Sequence, residues 1–139
     1  MFKTILLGVD GSGHALKAAH VAGDLARCMQ ADIWVVVSFD PIPTYLGEEL
    51  TQEVNAARLE HAEQILKPAL EAIGKTGTSV KHQILEGPPA EAILSVAEDS
   101  GVDLIIMGTR GLGRLSGLAL GSQSQKVLTH ASCPVLIAR

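Results

Sequence analysis

The chain has 139 residues, of which 47% are hydrophobic and 19% charged, the balance of one globular domain rather than of a disordered segment. Its formal net charge of -4 disfavours nucleic acids and anionic membranes as main partners, because both attract basic surfaces. No apolar stretch approaches the ~20 residues that cross a bilayer, and the start does not read as a signal peptide, so we expect a cytoplasmic protein without membrane association.

Short β-branched runs alternate with longer Ala- and Leu-rich segments, a pattern typical of a parallel sheet with helical crossovers. We predict a first strand over Lys3 to Val9 and then a helix capped by Ser12, in which apolar residues, mostly alanines, recur at helical spacing up to Met29. The second strand, Ile33 to Phe39, has almost no polar interruption. Such a strand is expected to be covered on both faces.

The middle of the chain begins with a long amphipathic helix, which we place from Glu48 or Thr51 to Ile73. Pro68 is expected to kink or shorten it. Ser79 to Leu85 alternates polar and apolar residues and is predicted to be an edge strand. Pro88-Pro89 then opens a helix that runs to about Ser100.

The last part is predicted to hold a fourth strand, Leu104 to Met107, a glycine-rich loop, Gly108 to Leu120, a helix, Ser122 to His130, and a fifth strand, Pro134 to Ala138. We therefore expect a single Rossmann-like α/β domain over residues 1–139. Its core is an open, twisted, parallel five-stranded sheet in the order 3-2-1-4-5, with helices on both faces.

The glycine-rich segments after strands one and four form the candidate ligand site. In this strand order they face each other where the connections reverse, beyond the carboxyl ends of the strands. Glycines let backbone N–H groups approach an anion, and the helix that begins at Gly121-Ser122 offers free N–H groups to phosphate. No Asp or Glu follows Asp103, whereas four cationic residues do, which suits a polyphosphate. The alternative is a flexible surface connection.

Asp10, at the end of the first strand, is the carboxylate expected in the same crevice. It could ligate Mg²⁺ or accept a hydrogen bond from a ribose hydroxyl. The alternative is a turn or cap residue before Ser12.

Other chemistries find little support in the sequence. Gly74-Lys75-Thr76 lacks the earlier glycine of a P-loop, and neither a GxGxxG after the first strand nor a GxSxG is present. The five histidines show no metal-site spacing. We interpret Cys28 and Cys133 as small buried hydrophobic residues.

The glycine-rich segment resembles a known motif. Gly108, two residues, Gly111, nine residues and then Gly121-Ser122 match the G-x2-G-x9-G-(S/T) signature of the ATP-binding branch of the universal stress protein family. The resemblance covers nearly the whole chain, from the opening strand that ends in Val9-Asp10-Gly11-Ser12 to the closing segment Ser132 to Ile137. Gln123 departs from the pattern, since the family often has a small apolar residue there.

The resemblance implies an adenine slot and a ribose and phosphate site. The slot would be lined by Gly8, Val9, Val37 and Met107. Ribose and phosphates would be held by Gly108, Arg110, Gly111, Gly121, Ser122, Gln123 and Ser124. Asp10 would lie beside the ribose or the metal.

The resemblance also implies a function: an ATP-binding protein, with AMP or ADP as alternatives and Mg²⁺ as the accompanying ion. It would pair as a homodimer through the last strand, Pro134 to Ala138, and act as a nucleotide-dependent stress-response or signalling module toward an unknown protein partner. Two alternatives stay open. One is a slow Mg²⁺-dependent ATPase or phosphotransferase using Asp10, although no evident base orients water, so at most weak hydrolysis is expected. The other is a nucleotide-free dimeric interaction module.

Overall fold

The computed structural model describes residues 1–109 and 120–139. Its elements, in chain order, are β1 (Thr4–Gly8), α1 (Gly13–Met29), β2 (Asp32–Phe39), α2 (Glu48–Ile73), β3 (Val80–Glu86), α3 (Pro89–Asp99), β4 (Leu104–Gly108), α4 (Ser122–His130) and β5 (Val135–Ala138). The strands form one parallel sheet in the order β3-β2-β1-β4-β5. The predicted fold class and strand order are confirmed, and each strand bound differs from its predicted position by at most one residue.

The sheet is covered on both faces because apolar side chains alternate along its central strands. In β1, Ile5 and Leu7 contribute to a core cluster that includes buried residues of α1 and α2. Leu6 between them contributes to a second cluster with α3 and α4. All three are fully buried, as expected for a central parallel strand.

Helices α1 and α2 pack closely because α1 presents small residues to its neighbours. Ala18, Ala19 and Ala22 are completely buried, and a Cβ added at Gly23 would overlap the carbonyl oxygen of Ile73 in α2. Ser12 is the N-cap of α1, as predicted, and its hydroxyl accepts a hydrogen bond from the N–H of Ala15 at 3.1 Å.

The C-terminus of α2 is tied to α1 by Arg27. Its guanidinium donates to the carbonyl oxygens of Ile73 at 2.7 Å and Lys75 at 3.1 Å, and also contacts the Asp24 carboxylate at 2.7 Å. A cation at this position complements the negative end of the helix dipole.

The structure contradicts the expected shortening of α2 at Pro68 and the expected burial of Cys28. Pro68 does not shorten α2, which continues to Ile73. Buried Leu66 and Ala69 hold this part of the helix on the core, and that packing offsets the hydrogen bond that proline removes. Cys28 is exposed, and Cys133 is half-buried; Cys28 lies on the face of α1 opposite its buried alanines.

The two edges of the sheet differ in polarity. β3 is an edge strand, as predicted, and its Lys81 and His82 side chains are exposed. β5 is the other edge, and its Val135, Leu136 and Ile137 are only half-buried. In the described ranges no helix has the length and apolar character needed to cross a membrane.

Candidate functional site

A cavity of about 470 Å³ opens at the carboxyl ends of β1, β2 and β4. Because β1 and β4 are adjacent while their connections run to opposite faces of the sheet, this is the position where α/β folds bind ligands. The lining residues are Gly8, Val9, Asp10, Ser12, Ala15, Val36, Ser38, Pro89, Ile93, Met107, Gly108, Gly121, Ser122, Gln123 and Ser124.

One wall is the turn between β1 and α1, which Asp10 stabilises. Its Oδ1 accepts a hydrogen bond from the N–H of Ser12 at 3.0 Å, while Asp10 itself is exposed and lines the cavity. The turn and ligand interpretations of Asp10 are therefore compatible, because one carboxylate oxygen holds the turn and the other is available to a ligand.

The opposite wall is built around Ser124, whose side chain is only 3% exposed. Its hydroxyl donates to the carbonyl oxygens of Gly108 at 3.1 Å and Thr109 at 3.0 Å. Since a hydroxyl has a single proton, these two bonds use the proton that the Ser124 side chain could donate to a phosphate. Ser124 instead joins α4 to the end of β4.

Thr109 holds both ends of the glycine-rich loop. Its N–H donates to the carbonyl oxygen of Ala138 at 3.1 Å, and its own carbonyl accepts from the N–H of Gly121 at 2.9 Å. Its hydroxyl lies 3.2 Å from Nδ1 of His14 in the first turn of α1. The loop entry and exit are thus fixed against β5 and α1.

Gly108 is required by the close approach of α1 to β4. A Cβ at this position would lie 2.8 Å from the Cβ of His14, closer than carbon atoms can pack. A side chain here would push α1 away from β4 and widen the cavity.

The floor of the cavity is apolar, and its far end is polar. Val36, Ile93 and Met107 are buried side chains of the α3/α4 face of the sheet. At the polar end the N-cap of α4 is Gly121, and among the described residues no side chain caps this helix start. Its first-turn N–H groups and the positive end of its dipole are therefore available to an anion.

Gln123 joins the starts of two helices at this polar end. Its Oε1 accepts a hydrogen bond from the N–H of Ala90, in the first turn of α3, at 2.9 Å. This bond satisfies a free donor of α3. The departure from the family pattern thus has a structural role, which spacing alone did not reveal.

The cavity brings together most of the residues predicted for the site: Gly8, Val9, Asp10, Met107, Gly108, Gly121, Ser122, Gln123 and Ser124. Arg110 and Gly111 lie outside the described residues. Val37 is not in the cavity, because its side chain is buried in the cluster on the α1/α2 face. Its neighbours Val36 and Ser38 line the cavity instead, as the two-residue period of a strand requires.

Sequence reasoning also missed Ala15, Pro89 and Ile93. Pro89 and Ile93 belong to α3, which packs against α4 and whose first turn is bonded to Gln123. Ser38, a polar residue near the end of the mostly apolar segment Ile33 to Phe39, was the available signal for the correct face of that strand.

Asp10 is the carboxylate among the cavity-lining residues. In the part of the chain that the structure describes, no group of three or more His, Cys, Asp or Glu residues could hold a metal ion. This arrangement fits a Mg²⁺ ion only if its coordination shell combines one protein carboxylate with oxygens of a bound phosphate.

Comparison with known proteins identifies the family. A model of the universal stress protein family matches residues 1–139. The chain is 50% identical over 140 residues to a universal stress protein of Thermus aquaticus, and the alignment covers all of both chains.

Solved structures agree with this match. The universal stress protein UspA of Lactobacillus plantarum superposes with a TM-score of 0.84 at 27% identity, covering 99% of this chain and 98% of that one. A universal stress protein solved in complex with cAMP gives a TM-score of 0.68 at 28% identity, covering 99% and 97%. The chain therefore belongs to the universal stress protein family.

Proposed function

We propose that this protein binds an adenine nucleotide, ATP or its lower phosphates AMP and ADP, in the cavity at the ends of β1, β2 and β4. The observation that carries the proposal is an apolar slot that leads directly to an uncapped helix N-terminus. A slot of this kind suits a flat, weakly polar base, and the helix start suits a phosphate. The complex of a related universal stress protein with cAMP supports the same ligand class.

The base would lie on Val36, Ile93 and Met107, and the phosphates would meet the first-turn N–H groups of α4. A cavity of about 470 Å³ falls within the ~300–1,000 Å³ common for small-molecule sites. Ser124 would contribute through its backbone N–H rather than through its hydroxyl.

Asp10 would bind either the ribose of the nucleotide or the metal ion. Its free oxygen can accept from a ribose hydroxyl or complete the shell of a Mg²⁺ ion held by the phosphates. Bound Mg²⁺ would neutralise phosphate charge in a protein that is itself acidic, with a net charge of -4.

We further propose a homodimer through Pro134 to Ala138. An apolar edge strand with half-exposed Val135 and Ile137 is an unfavourable surface to leave in water, and pairing with a second copy would cover it. The Thr109 N–H is hydrogen-bonded to Ala138 in this strand, which would place the glycine-rich loop next to the dimer contact. Nucleotide binding would then alter the dimer surface offered to a partner protein in stress-response signalling.

The test is titration calorimetry with ATP, AMP and GTP on wild type, Ser122→Glu and Gln125→Glu. Ser122 is exposed at the cavity rim in the first turn of α4, and Gln125 is exposed outside the cavity. Glu suits the first turn of a helix, so Ser122→Glu should fold while it repels phosphate.

We expect wild type to bind adenine nucleotides with micromolar affinity and GTP more weakly. Ser122→Glu should lower the affinity for adenine nucleotides about tenfold or more, a loss in binding free energy of about 1.4 kcal/mol or more. Gln125→Glu should not lower it. Absence of binding by wild type, or equal losses in both variants, would contradict the proposal.

A further inference from the structure

A second cavity lies behind the turn between β1 and α1, on the opposite side from the nucleotide cavity. Its volume is about 270 Å³, and it opens between α1 and α2. The two cavities share Val9, Asp10, Ser12 and Ala15. The second is otherwise lined by Gly11, Leu16, His61, Gln64, Ile65, Pro68 and Ala69.

Its walls are mostly aliphatic, with polar groups at the opening. Leu16 and Ile65 face each other from α1 and α2, whereas His61 and Gln64 are exposed on α2. The volume is little more than half that of the nucleotide cavity, so the space suits a single ring or a short branched chain.

Pro68 gives this cavity a hydrogen-bond acceptor. Proline has no N–H, so in the middle of α2 it cannot donate to the carbonyl oxygen of Gln64, four residues earlier. Both residues line the cavity. The carbonyl that loses its helical partner lies on the helix face that carries these two residues, where a donor from a ligand or from water can satisfy it.

Asp10 adds a negative charge at the same place. Its Oδ1 is held by the N–H of Ser12 at 3.0 Å, and the carboxylate belongs to the wall between the two cavities. A carbonyl oxygen and a carboxylate, on an aliphatic surface, together favour a ligand that donates hydrogen bonds and carries positive charge.

We infer that the cavity between α1 and α2 is a second ligand site, which takes a small amine with a compact apolar body. The apolar part lies between Leu16 and Ile65, and the ammonium group donates to the Gln64 carbonyl and to Asp10. Such a site gives Pro68 a role inside a helix that continues to Ile73.

The test is a titration of the ¹⁵N-labelled, nucleotide-free protein with benzylamine as the probe, monitored by ¹H–¹⁵N NMR. We expect the amides of Leu16, Ile65 and Ala69 to shift, with a Kd on the order of 1 mM, which is the range for a ligand of this size. Benzyl alcohol, which lacks the charge, should bind several-fold more weakly, and benzoate should cause no shifts at these amides.

Pro68→Ala tests the acceptor directly, because alanine restores the N–H that bonds the Gln64 carbonyl. Alanine is also the better helix former, so the variant should fold and be at least as stable as wild type. We expect its affinity for benzylamine to fall about tenfold. Asn55→Ala, an exposed change in the same helix outside the cavity, should bind as wild type does.

Two results would overturn the inference. One is the absence of shifts at Leu16 and Ile65 at ten times the expected Kd, or shifts confined to nucleotide-cavity residues such as Ile93 and Met107. The other is a Pro68→Ala protein that binds benzylamine as tightly as wild type. Neither result bears on nucleotide binding, which the calorimetry measures separately.

Discussion

At the scale of single residues, the same side chain often serves the fold and the site together. Asp10 closes the turn through its Oδ1, and the same residue lines both cavities. The Ser124 hydroxyl fixes the end of β4, so any contact of this residue with a phosphate would be made by its backbone N–H. Such assignments depend on which hydrogen bonds the protein has already formed, and a sequence motif does not contain that information.

The two cysteines differ in environment, and this leads to a prediction on pH. Burial, and secondarily the negative charge of Asp103, raise the pKa of the Cys133 thiol above its ordinary value. Because the thiolate is the reactive form, a raised pKa leaves less of it at a given pH. We expect alkylation of Cys133 in a Cys28→Ser protein to reach half its maximal rate at a higher pH when folded than in denaturant.

Iodoacetamide labelling followed by mass spectrometry over a range of pH gives both midpoints. The wild-type protein serves as the control, since exposed Cys28 should be labelled before Cys133. Coincident folded and denatured midpoints for Cys133 would contradict the assigned environment.

At the scale of elements, the packing of α1 against α2 depends on the absence of a side chain at Gly23. Replacing a helix glycine by alanine ordinarily stabilises a protein by about 0.5–1 kcal/mol. At Gly23 the added methyl would overlap the carbonyl of Ile73, so we expect Gly23→Ala to lower the free energy of unfolding by about 1–3 kcal/mol.

Gly13→Ala is the matched control in the same helix, because no atom lies within 4 Å of a Cβ at Gly13. It should leave stability unchanged or raise it by up to about 1 kcal/mol. Urea unfolding of both variants makes the comparison. Equal stabilisation by the two substitutions would show that α1 and α2 are not in close contact.

The hydrophobic periodicity of the sequence and its glycine and proline residues were sufficient to predict the order and type of these elements. The alternation of apolar strands with alanine-rich helices predicted the sheet, and a glycine or proline lies within one residue of half of the element ends. Periodicity could not say which face of β2 meets the ligand, because a strand buried on both faces carries no polar alternation. Val37, which the family resemblance implied, lies on the other face of β2, and Val36 and Ser38 line the cavity.

At the scale of the whole molecule, the unpaired apolar edge of β5 predicts association of two copies. Val135→Thr combined with Ile137→Thr keeps β-branched residues in the strand but removes apolar surface from the edge. Sedimentation equilibrium should show a dimer for wild type and a dissociation constant at least about tenfold higher for the double variant. A wild-type chain that stays monomeric at all concentrations would contradict the dimer.

The central claim is that an adenine nucleotide occupies the cavity between the β1–α1 turn and the start of α4. The most direct measurement is a crystal structure of the protein grown with ATP and Mg²⁺. We predict density for the base against Val36 and Met107, and for phosphate at the first-turn N–H groups of α4. An empty cavity at saturating ATP, or a nucleotide bound elsewhere on the protein, would contradict the account.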